Sequence, residues 1–73
     1  MSKPESVSVT DLDTLRTEVK RLSSMAIQAK MDLHDLSEEL PKDWQTIPAV
    51  AARTYEIYQQ LTLKRSALKA TGA

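Results

Sequence analysis

Seventy-three residues leave room for one small domain. Lys plus Arg and Asp plus Glu both total 10, so formal net charge is zero, and the strongly basic balance of a general nucleic-acid binder is absent. With no Cys there are no disulfides, thiolate-held clusters or thiol nucleophile.

One Gly and three Pro supply too little turn chemistry for a multi-strand sheet. The usage of Ala, Leu, Lys, Glu and Gln favours helices, so the expected class is all-α. The opening Met-Ser-Lys-Pro-Glu-Ser lacks the apolar core of a signal peptide, and no apolar run reaches membrane-spanning length. The expected compartment is the cytoplasm, with no membrane partner.

Residues 1–8 are polar and read as a flexible arm ahead of a hairpin domain over 9–70. Two helix starts compete. Ser8 is followed by Asp11, and Thr10 by Asp13; either hydroxyl can cap free N–H groups, and the acids suit the helix dipole. The Ser8 register also lets Val7 staple onto Leu12.

From there the apolar residues are Leu12, Leu15, Val19, Leu22, Ala26, Ala29, Leu33, Leu36 and Leu40, in alternating steps of three and four. That sustained seven-residue repeat is the seam of a supercoiled helix over about 10–40. Ala26 and Ala29 thin the seam at mid-length, where a facing helix can approach or a larger side chain can insert.

Pro41 ends this helix, because the residue before a proline is pushed out of helical geometry. Lys42 to Thr46 reads as a turn, with one tight helical turn capped by Asp43. Pro48 opens a second helix over 47–70, with Thr46 or Ile47 as cap. Its seam is Ile47, Val50, Thr54, Ile57, Leu61 and Leu68, widened by Ala51 and Tyr58. Lys64 takes a seam slot, so packing is expected to loosen there. Residues 71–73 are expected to fray. So short a connection makes the two helices an antiparallel hairpin.

Two helices bury one stripe each, which is little apolar area to set against the entropy of ordering them. Association is therefore expected. Off the seam, Ile27, Met31 and His34 form a second stripe on the first helix, and Leu63, Ala67 and Ala70 one on the second. The partner is a twin hairpin or a foreign protein. Charge suggests how twins pair: the turn end holds Asp32, Asp35, Glu38, Glu39 and Asp43 against Lys42, while the second helix ends on Lys64, Arg65 and Lys69. Head-to-tail packing into a four-helix bundle matches opposite charges.

His34 is the single imidazole, with Asp35 adjacent and Glu38 one turn on. Two-fold pairing can bring two His34 together as a divalent-metal site; the plainer reading is a surface histidine bonded to a neighbouring acid. Otherwise no cofactor is expected. Enzyme activity is not expected either, since there is no Gly-rich phosphate loop and no Ser positioned on the His. Trp44, Tyr55 and Tyr58 make up the aromatic inventory. They suit interface anchors, and Trp44 also suits a lid over Leu36, Leu40 and Ile47.

The block Lys30-Met31-Asp32-Leu33-His34-Asp35-Leu36, followed by Leu40-Pro41, Asp43-Trp44, Ile47-Pro48, Val50-Ala51 and Thr54-Tyr55, resembles a small family encoded in nitrogen-fixation gene clusters. Its members are Rop-like helical hairpins, and the match spans about residues 12–68. The resemblance implies an accessory factor that binds nitrogenase, its molybdenum–iron component or a cofactor-assembly protein. It also implies that His34 matches a family histidine suspected of metal contact. The partner-binding residues expected are Ile27, Met31, His34, Asp35, Trp44, Tyr55 and Tyr58. The alternative is a Rop-like homodimer that binds RNA. That reading needs a basic stripe, yet Lys20, Arg21 and Lys30 are interrupted by Ser23, Ser24 and Ala26.

Overall fold

In the computed structural model, which describes residues 9–71, a 31-residue helix α1 (Val9–Glu39) is followed by a 3-10 turn (Trp44–Thr46) and a 24-residue helix α2 (Ile47–Ala70). The helices are antiparallel, as the inter-helix pairs Asp32–Arg53 and Glu18–Lys64 require. No strand occurs among the described residues. The arm over 1–8, the Ser8 cap and the Val7 staple fall outside those residues. Thr10 lies within α1, which removes it as the cap.

The seam is where the heptads put it. Leu22, Ala26 and Ala29 of α1 and Ile57 and Leu61 of α2 are buried together, with Val19 and Met25 packed against them. Ala26 and Ala29 are 2% and 1% exposed, in one cluster with the larger Leu22, Ile57 and Leu61. Leu12, Leu15, Leu33, Leu36, Val50, Thr54 and Leu68 are half-buried along the same line. Met25 is not on the heptad line; it lies one position from Ala26, and its sulfur accepts from Arg21 Nη1 at 3.2 Å.

One seam expectation needs correction. Ala51 and Tyr58 do not widen the seam but are exposed, Tyr58 to 40%. Each sits roughly 100° around the helix from a seam position, beyond the reach of one facing helix. Past Leu61, by contrast, the packing does loosen: Lys64 and Leu68 are only half-buried, and the Lys64 Nζ lies 2.9 Å from Glu18 Oε1, joining the two helices.

The turn follows from its prolines. α1 stops at Glu39, and Leu40 and Pro41, joined by a cis peptide bond, enter the turn. Asp43 adopts φ 58°, in the left-handed region, and makes no side-chain cap. A capping side chain needs extended backbone at its own residue, which this conformation denies. Asp43 contributes its carbonyl instead, which accepts from Thr46 N at 2.9 Å and from Thr46 Oγ1 at 2.7 Å. Thr46 is the residue before α2 but also makes no side-chain cap, and Pro48 occupies the first turn. At the far end the Thr71 N–H reaches Leu68 O at 3.1 Å and its hydroxyl the same oxygen at 2.6 Å; residues 72–73 fall outside the described residues.

The result is a rod of 55 × 22 × 16 Å with a radius of gyration of 16.6 Å. A globular domain of this length would have a radius of gyration of about 11 Å.

Candidate interaction surfaces

Both inter-helix ion pairs lie on one edge of the hairpin. Glu18 and Asp32 are separated by about four helical turns on α1, and Arg53 and Lys64 by about three on α2. Asp32 Oδ2 is 3.3 Å from Arg53 Nη1 and also accepts from Gln28 Nε2 on its other oxygen at 2.9 Å. The Lys64 ammonium holds the Glu18 carboxyl below its ordinary value, first through the hydrogen bond and then through its charge. The opposite edge has a different character. There Arg65 Nη2 donates to Ser23 Oγ at 3.2 Å, and Tyr58 stands one heptad before Arg65.

The seven residues expected to bind a partner fall into three places. Ile27, Met31, His34 and Asp35 line one depression on α1 together with Lys30. Tyr55 and Tyr58 line another on α2 with Thr54, Gln59, Thr62 and Leu63. Ile27 is one turn from Ser23 on α1 and Tyr58 one heptad from Arg65 on α2, so the Ser23–Arg65 contact sets both depressions toward the same edge of the hairpin. Trp44 stands apart at the turn.

Much of what lies there is apolar and wet: Ile27 is 61% exposed, Tyr55 70% and Leu63 57%. Leu63 belonged to the expected second stripe but not to the expected site, because heptad counting ranks it only as off-seam. Trp44 is 57% exposed and does not line the notch formed by Leu33, Leu36, Ser37, Leu40 and Ile47, so it does not act as a closed lid. The 3-10 turn that begins with Trp44 carries the ring off the end of the seam.

His34 sits between two acids: Nδ1 is 3.7 Å from Asp35 Oδ1 and Nε2 is 3.5 Å from Glu38 Oε2. All three side chains are largely exposed. The acids approach opposite ring nitrogens and so do not converge on one point. Among the described residues, no three His, Cys, Asp or Glu side chains are grouped to hold a metal ion. No helix among them is long and apolar enough to cross a membrane.

Fold and surface together define a helical-hairpin protein with a narrow core and apolar side chains on several outer faces. The chain belongs to the Rop-like family, whose model matches residues 10–73. A UPF0437 protein of Trichormus variabilis is 48% identical over 68 residues, covering 93% of this chain and 79% of that relative. A UPF0437 protein of Nostoc sp. is 51% identical over 63 residues, 86% of this chain and 89% of its own. A further relative, from Frankia alni, is 40% identical over 53 residues, 73% of this chain and 65% of its own; it is described as a UPF0437 protein in the nifX-nifW intergenic region. No solved structure matches the chain.

Proposed function

We propose that this chain is a nitrogen-fixation accessory factor that acts by contact rather than catalysis. Its client would be the molybdenum–iron component of nitrogenase or a protein that handles its cofactor, and its role maturation, protection or stabilisation. The observation that carries this reading is the Frankia relative between nifX and nifW, at 40% identity. The surface supports it: Ile27, Met31, Trp44, Tyr55, Tyr58 and Leu63 are exposed on a rod whose own core is five side chains among the described residues. Apolar and aromatic residues in water are the usual anchors of a protein interface. His34 would take part as a polar contact on the α1 face.

Pairing of two hairpins would also cover exposed apolar faces and is tested by sedimentation; a monomer at high micromolar concentration rejects it. The test of the client is capture from nitrogen-fixing lysate with the tagged chain. Nitrogenase subunits or cofactor-assembly proteins should be retained, and their absence from the retained fraction would sink the reading.

A further inference from the structure

We propose that the turn end of the hairpin is a docking site for a basic-flanked apolar segment of another protein; this rests on the reading of the chain as a client-binding factor. The site is a notch between the helices, walled by Leu33, Leu36, Leu40 and Ile47. Leu40 is 42% exposed and Ile47 39%, and the indole of Trp44 stands uncovered three residues from Ile47. Helix pairing alone cannot close this notch, because α1 stops at Glu39 and the chain leaves the seam through the turn.

Charge selects the occupant. Asp35, Glu38, Glu39 and Asp43 lie on the last turns of α1 and in the turn, and all are exposed. The cation among them, Lys42, is already 3.6 Å from Glu39. An apolar segment flanked by Lys or Arg gains from these carboxylates, and an acid-flanked one is repelled. A second copy offers one such segment, Leu63 beside Lys64 and Arg65. Those cations are already engaged within their own hairpin, with Glu18 and Ser23. The structure therefore favours a foreign polypeptide.

Trp44, the single tryptophan, makes the test direct. The whole protein is titrated with a synthetic peptide carrying one leucine between lysines, and with its aspartate-flanked twin. The lysine peptide should move Trp44 emission saturably to shorter wavelength, and the aspartate twin should not. Asp35→Lys with Glu38→Lys should weaken the response on the order of tenfold, as summed exposed pairs would. Leu40→Asp should abolish it at unchanged helicity.

Silence toward the lysine peptide, or equal response to both peptides, overturns the proposal. So does a concentration-dependent Trp44 shift of the protein alone that Leu63→Asp removes, since a second copy would then fill the notch. Capture of purified molybdenum–iron protein is measured separately. Its failure with the peptide response intact sinks the client's identity and leaves the docking site standing.

Discussion

Lys64 interrupts the apolar seam of α2, and the cost of an ammonium there is offset by Glu18 at 2.9 Å. Because the folded state lowers the Glu18 carboxyl, this contribution is present above the ordinary glutamate value of 4.5 and is lost as pH falls through the lowered one. Wild type should therefore melt above Glu18→Gln at neutral pH, and the gap should close on acidification below pH 4.5. A gap that is constant across that range would remove the pair from the account. Asp43 carries the other local demand, a positive φ outside glycine. Asp43→Gly should stay within about 0.5 kcal/mol of wild type, whereas Asp43→Val should lose about 1–2 kcal/mol in urea unfolding because of its branched Cβ.

Each helix is amphipathic in a narrow sense: a single line of side chains meets the other helix, and its neighbours on either side stay wet. Energy is accordingly concentrated at mid-length, where Ile57 and Leu61 meet Leu22, Ala26 and Ala29. Ile57→Ala or Leu61→Ala should cost about 2–5 kcal/mol. Ala26→Leu should cost about 1–3 kcal/mol, because Ala26 is buried in that cluster and a larger side chain overpacks it. Tyr55→Ala, on the outer face of α2, should change stability by no more than about 0.5 kcal/mol. Urea unfolding of the four variants reads this ranking, and a large loss at Tyr55 would mean that its face is covered in solution.

For the whole molecule, the rod shape decides how a partner can be met. Apolar depressions on α1 and α2 flank one edge and a third apolar site lies at the turn end, so a large client can span both helix faces or use one of them. Met31→Asp and Tyr55→Asp separate these possibilities. If the client spans both faces, both should weaken nitrogenase capture, with circular dichroism unchanged. If one face is used, one variant weakens capture and the other leaves it at the wild-type level. Trp44→Ala should weaken capture in either case.

Taken alone, the chain's periodicity determined two helices, their boundaries to within a residue or so, their antiparallel arrangement and the line of their contact. Steps of three and four leave only one face available to bury, and Pro41 and Pro48 bracket the turn between the helices. The identity of the partner was legible only through the resemblance, since no spacing of charges or aromatics encodes a client. Tertiary structure alone decided which flank each off-seam residue occupies. It gathered both ion pairs on one edge and left Trp44 off the notch. The physical reason is that a heptad fixes direction around its own helix, whereas the facing of two helices and the path of a turn depend on atoms far apart in sequence.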